Sequence, residues 1–284
     1  MILVAHNGPE SANALDWAAR EAVRQQDSLT IIHVIAVGGI VGDMPELPEE
    51  VLEAADAVLQ SGAARARELG VTEVDTIKGY RSVAAAIVEA SREAELVVVG
   101  NRGHGETASA VLGSVAYAVT SHANCPVVVI RGDGHTDLTA EHPIIVGIDG
   151  SRSGVHAGFL AAEMAERAGA PLIVVGVWDV SSLGGLSQEF AHRIGVQEMH
   201  GKAEAQMRKW VDLAVSKLSE RHPGISVEGR VEQGSPVIVL REAAESAGLL
   251  VVGTRGRGGF AGLLLGSVSH RLIHDSGCPV AVVR

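Results

Sequence analysis

Gly253-Thr-Arg-Gly-Arg-Gly-Gly-Phe-Ala-Gly-Leu-Leu-Leu-Gly-Ser267 follows the apolar run Leu249-Leu-Val-Val252 directly. It leads into Val268-Ser-His-Arg-Leu-Ile-His274, whose apolar residues recur at helical spacing. The order is strand, glycine-rich loop, helix. The spacing Gly253-x2-Gly256-x9-Gly266-Ser267 recurs 153 residues upstream as Gly100-x2-Gly103-x9-Gly113-Ser114, behind Leu96-Val-Val-Val99. A single glycine pattern is weak evidence for any chemistry. Two copies with one spacing, each behind an apolar strand, mark a duplicated strand–loop–helix unit.

Such a loop suits an anion. Glycines let main-chain N–H groups approach a phosphate with no Cβ in the way. Ser114 and Ser267 fall where helices begin and are candidate N-caps. The free N–H groups and the dipole of that terminus favour negative charge.

Outward from the loops, strands alternate with helices. In the first half, strands are expected at 2–5, 29–35, 74–77, 96–99 and 126–130. Helices are expected at about 11–26, 49–69, 82–93 and 114–122, with a loop from Gly38 to Pro48. The pattern restarts at Ile144-Ile-Val-Gly-Ile-Asp-Gly150, which matches Ile2-Leu-Val-Ala-His-Asn-Gly8 at an offset of 142. The glycine loops are offset by 153, so the second copy is about 11 residues longer. The extra length falls around Ser181 to His200, before a helix over 202–218. Further strands are expected at 172–177, 225–231 and 279–283. The reading is α/β: two tandem domains, 1–131 and 143–284, joined by a polar linker, 132–142. Each is a parallel sheet with helices on both faces and right-handed crossovers.

The 284 residues suffice for two domains, and 46% are hydrophobic. Aromatics make up only 3%, so the cores are aliphatic. Without aromatic platforms or a basic groove, the composition argues against a nucleic-acid partner. Residues 1–142 carry nine basic and twenty acidic side chains, net −11; residues 143–284 carry fourteen of each. The two cysteines, Cys125 and Cys278, each precede a proline at matching places. They suggest neither a disulfide framework nor a metal cluster, and the expected setting is the reducing cytoplasm. No long apolar segment or basic leader is present, so no membrane insertion is expected.

These residues resemble the universal stress protein family in its tandem two-domain form. The resemblance covers nearly the whole chain. It rests on the glycine pattern at 100–114 and 253–267, on Ile144-Ile-Val-Gly-Ile-Asp-Gly-Ser151, and on the Cys-Pro-Val endings at 125–127 and 278–280. It implies a Rossmann-like five-stranded parallel sheet ordered 3-2-1-4-5, and ATP as ligand, with Mg²⁺ as a candidate companion. In the second repeat it implies that Asp149 lies beside the nucleotide and that Val177 contacts adenine. Gly253, Arg255 and Gly256 would line ribose and phosphates, with Gly266, Ser267 and Val268 holding phosphates. The same places in the first repeat are Asn7, Val34, Gly100, Arg102, Gly103, Gly113, Ser114 and Val115. Asn7 departs from the family's usual Asp: it keeps an acceptor oxygen and loses the charge. The family also associates through its last strands, here Pro126 to Ile130 and Pro279 to Val283, which implies a homodimer.

The reading is therefore a non-enzymatic, nucleotide-dependent regulator of a stress response, its state read by a protein partner. The enzymatic alternative, a slow ATPase or a nucleotide-using transferase, stays open. No Gly-x4-Gly-Lys-Ser/Thr loop occurs, and no catalytic set recurs in both halves. The twelve histidines fall six per half, and His6, His33, His104 and His122 have no histidine counterpart in the second half. Asp149 and the loop arginines Arg255 and Arg257, set against Asn7, His104 and Glu106, predict tighter binding in the second repeat.

Overall fold

The structure is a computed structural model that describes residues 1–36, 47–80, 82–101, 113–131, 138–179, 196–257 and 264–284. It divides into two compact units, Met1–Thr136 and Asp137–Arg284. The first unit contains β1 (Ile2–Ala5), α1 (Ala12–Gln25), β2 (Leu29–Ile35), α2 (Glu49–Glu68), β3 (Val74–Tyr80), α3 (Val83–Ala90), β4 (Leu96–Gly100), α4 (Ser114–His122) and β5 (Val127–Ile130). The second contains β6 (Ile144–Ile148), α5 (Arg152–Ala168), β7 (Leu172–Trp178), α6 (Val196–Arg221), β8 (Val227–Gln233), α7 (Pro236–Ala244), β9 (Leu249–Gly253), α8 (Ser267–Asp275) and β10 (Val280–Val283).

All strand pairs within each unit are parallel. The first unit runs β3-β2-β1-β4-β5, and the second runs β8-β7-β6-β9-β10. This is the expected 3-2-1-4-5 order, twice. The registers match as well: Ile2 faces Leu29 and Leu96, and Ile144 faces Leu172 and Leu249. Right-handed crossovers to one side of the first strand put α1 and α2 on one face; crossovers to the other side put α3 and α4 opposite. In agreement, α1 packs on α2, and α3 packs on α4.

Burial follows from those layers. Ile2, Leu3 and Val4 in β1, and Leu249, Leu250 and Val251 in β9, have no exposed surface. A strand covered on both faces reads as an unbroken apolar run, which is why these strands were plain in the sequence. The edge strands β3 and β8 are polar, with Glu228, Arg230 and Glu232 exposed on β8. Charges on an edge oppose further strand pairing. That polarity also hides the strand ends. β3 continues to Tyr80, three residues past the expected end, and pairs with β2 throughout, from Leu29–Val74 to Ile35–Tyr80.

The α6 helix begins at Val196, earlier than expected, and so takes up the last part of the extra length of the second copy. Two i,i+4 ion pairs support its first turns, Glu198–Lys202 at 2.7 Å and Glu204–Arg208 at 2.9 Å. No helix among the described residues is long and apolar enough to cross a membrane.

Candidate functional site

In an open parallel sheet, connections leave the first and fourth strands in opposite directions, and a crevice opens at their carboxyl ends. The first unit has a cavity of about 840 Å³ there. Asn7, Val34, Gly100, Gly113, Ser114 and Val115 all line it. Arg102 and Gly103 lie outside the described residues, as do His104 and Glu106. The cavity's apolar wall comes from Val51, Ala54, Ala55 and Val58 of α2, and Val83 and Ile87 of α3. The two ends of the glycine loop meet at the same cavity, Gly113 donating its N–H to the Asn101 carbonyl at 3.0 Å.

The helix starts differ from the expected capping. Gly113 and Gly266 are themselves the N-caps, with extended ψ of 143° and 160°; Ser114 and Ser267 are the first helical residues and make no side-chain cap. A glycine cap brings no oxygen of its own to the first-turn N–H groups, and no intrahelical carbonyl reaches them. In the first unit those groups begin at the cavity wall. Serine does cap elsewhere: Ser151 accepts from the Gly154 N–H at 3.1 Å and Ser82 from the Ala85 N–H at 3.4 Å.

Two imidazoles, unremarked as site residues in the sequence, also line the cavity. His6 Nδ1 is 2.9 Å from Ser11 Oγ, and His33 Nδ1 is 2.9 Å from the His6 carbonyl. Burial lowers the His6 pKa, and neighbouring His33 lowers it further; the Ser11 hydrogen bond and the Asp16 charge act the other way. Gly62 in α2 makes room for the ring, since a Cβ there would stand 3.0 Å from His6 Cδ2. Asn7 donates its main-chain N–H to Ser11 Oγ at 2.8 Å, and its side-chain amide is 3.5 Å from Glu10.

The second unit arranges the same positions around Asp149. Its Oδ1 accepts from the Ser151 N–H at 3.0 Å and its Oδ2 from the Arg257 N–H at 2.8 Å. Gly256 lies against the same carboxylate: a Cβ on it would fall 2.7 Å from Asp149 Oδ2. Arg255 is exposed, and its carbonyl accepts from Ser153 Oγ at 2.5 Å and Ser151 Oγ at 3.3 Å. Gly266 donates to the Thr254 carbonyl at 2.7 Å, closing this loop as Gly113 closes the first. Val177 and Val268 are half-buried and Ser267 is exposed.

The glycines of this loop serve the protein's own packing. A Cβ on Gly253 would fall 2.5 Å from Ser153 Oγ and 2.9 Å from its carbonyl carbon. Neither Gly253 nor Gly266 has a positive φ. One residue near the site, Trp210, escaped the sequence reading. Trp210 of α6 lies against Gly150, whose φ is +75° and whose Cβ would come within 2.7 Å of the indole. The Arg257 guanidinium stacks on that indole, 4.3 Å from the ring centre.

The chain matches the universal stress protein family model twice, over residues 1–131 and 141–284. It is 37% identical over 289 residues to a universal stress protein of Mycolicibacterium smegmatis, an alignment covering 97% of this chain and 93% of that one. A universal stress protein of Mycobacterium bovis is 32% identical over 293 residues, with the same coverage of 97% and 93%. The crystal structure of a universal stress protein from Archaeoglobus fulgidus has a similar fold, with a TM-score of 0.73 at 20% identity over 100% of this chain and 97% of that one. A functionally unknown protein from Pseudomonas aeruginosa PAO1 gives 0.65 at 19% identity, covering 99% and 91%. The doubled match, over two units of one topology, makes this chain a member of the universal stress protein family in its tandem two-domain form.

Proposed function

We propose that this protein binds ATP at the carboxyl ends of its strands and acts as a nucleotide-dependent regulator of a stress response. The cavity of about 840 Å³ at the switch point of the first unit carries the reading. Its volume falls within the range of about 300–1,000 Å³ usual for small-molecule sites. One wall is apolar and suits a base against Val34. Gly100, Gly113, Ser114 and Val115 also line the cavity, and their main chain and hydroxyl suit phosphates. Arg102 and Gly103 belong to the same proposed set. So do Asp149, Val177, Gly253, Arg255, Gly256, Gly266, Ser267 and Val268 in the second unit. Mg²⁺ would accompany the phosphates and neutralise part of their charge. A homodimer, a protein partner that reads the nucleotide state, and a cytoplasmic setting belong to the same proposal.

The test is to denature purified protein, identify the released nucleotide by mass spectrometry, and titrate ATP by calorimetry. ATP in the released fraction and heat on titration are expected. No adenine and no heat would remove the proposal. Steady conversion of ATP to ADP would favour the slow ATPase instead. Light scattering tests association: a single-chain mass with and without ATP removes the dimer.

A further inference from the structure

We infer that the two units take nucleotide in order, the first unit first, because Arg257 stacked on Trp210 competes for the second site. The inference rests on both units being nucleotide sites and concerns how they differ.

Arg257 is held at both ends. Its main-chain N–H is bound by Asp149 at the end of β6, and its guanidinium lies over Trp210. Trp210 itself is set by Gly150, the glycine that follows Asp149. Asp149, the loop main chain and the indole therefore already form one closed arrangement, at the place where the resemblance puts a nucleotide. An indole face accepts flat partners of two kinds, a guanidinium by cation–π attraction or a base by stacking. A purine nucleotide that uses this face must first displace Arg257.

The first unit lacks these parts. β3 and β8 correspond at an offset of 153, so Trp210 has Ala57 as its counterpart and Met207 has Ala54. Ala54 lines the open cavity. Met207 is buried and packs with Val211 onto Gly176, whose added Cβ would meet them at 2.6–2.7 Å. Where the second unit has glycine on the strand and methionine on the helix, the first has His33 and Ala54. The bulk has changed sides, and an indole with its own cation has been added. The charge difference between the loops predicts tighter binding in the second unit. The stack reverses that order, because Asp149 already accepts from the Arg257 main chain and the Arg257 guanidinium already lies on Trp210.

The test titrates ATP while following tryptophan emission, and takes wild type minus Trp210→Phe as the signal of Trp210. Wild type should bind in two phases: the first leaves that signal unchanged and the second alters it. Arg257→Ala, at an exposed position, should move the second phase to about two- to five-fold lower ATP, the loss of one exposed cation–π contact. The first phase should stay in place. Ala54→Met, which installs the second unit's residue in the first cavity, should remove the tighter phase and keep the Trp210-linked one. Ser114→Glu, like Ala54→Met at an exposed position, tests the same point by charge rather than by bulk. A change in Trp210 emission with the first equivalent would overturn the inference. So would a second phase unmoved in Arg257→Ala. If no variant and no wild-type protein binds ATP, the proposed function fails instead.

Discussion

Asp149 satisfies two main-chain N–H groups, one from the start of α5 and one from the glycine loop 108 residues away. Removing it in Asp149→Ala leaves both donors to water and unties the loop. A half-exposed, charge-assisted pair of this kind predicts about 1 kcal/mol of lost stability, measurable by urea unfolding. An unchanged midpoint would show that the loop holds its place without the carboxylate. In the first unit, His6 governs a pH response. Its folded pKa lies below the ordinary 6.5, so the unfolded chain takes up a proton first as pH falls. Its contribution is present above about pH 6.5 and declines as the pH drops towards the lowered folded value. His270, lowered by burial and by neighbouring His274 and Arg271, acts in the same direction. The unfolding midpoint should fall between pH 7.5 and 5.5, and His6→Gln should flatten part of that fall. An identical slope in the variant would place the response elsewhere.

Helix–sheet packing makes its own demands. α6 lies so close to β7 and β8 that glycine is required beneath it at Gly176 and Gly229, where a Cβ would meet Val211 at 2.6 and 2.7 Å. Gly176→Ala should destabilise by about 1–3 kcal/mol through overpacking. Met207→Ala should recover part of that loss in the double variant, since Met207 Sδ stands 2.7 Å from the added Cβ. Additive losses would mean that the methionine is not the obstacle. The start of α5 offers a cleaner test. Ser151→Ala removes the oxygen that accepts from Gly154 and should cost about 1 kcal/mol. Ser267→Ala should cost little, because Gly266 is the cap there and Ser267 makes no cap bond. That pair of outcomes separates a structural serine from one left available to a ligand.

For the molecule as a whole, ligand binding should appear as stability. With ATP at about one hundred times the dissociation constant of the first site, linkage adds about 2.7 kcal/mol to the unit that binds it. Thermal unfolding followed with and without ATP should show the shift, and Ala54→Met should reduce it to the smaller shift that the second site supplies. A shift undiminished in Ala54→Met would assign the tighter site to the second unit. The amino-acid sequence alone determined the duplication, the α/β class and the location of both loops; the strand order was implied only by the family resemblance those residues carry. Doubly covered strands are written as unbroken apolar runs such as Leu249-Leu-Val-Val252, and a repeated glycine spacing survives on both sides of an insertion. Polar edge strands carry no such mark, so β3 was read three residues short. The tertiary structure alone decided why particular glycines are needed: Gly253 by Ser153, Gly256 by Asp149, Gly176 by Met207 and Val211. It also decided that Gly266 caps α8, that His6 and His33 share the first cavity, and that Arg257 covers Trp210. These are contacts between residues far apart in the chain, set by how closely a helix crosses a strand. No local periodicity records that distance.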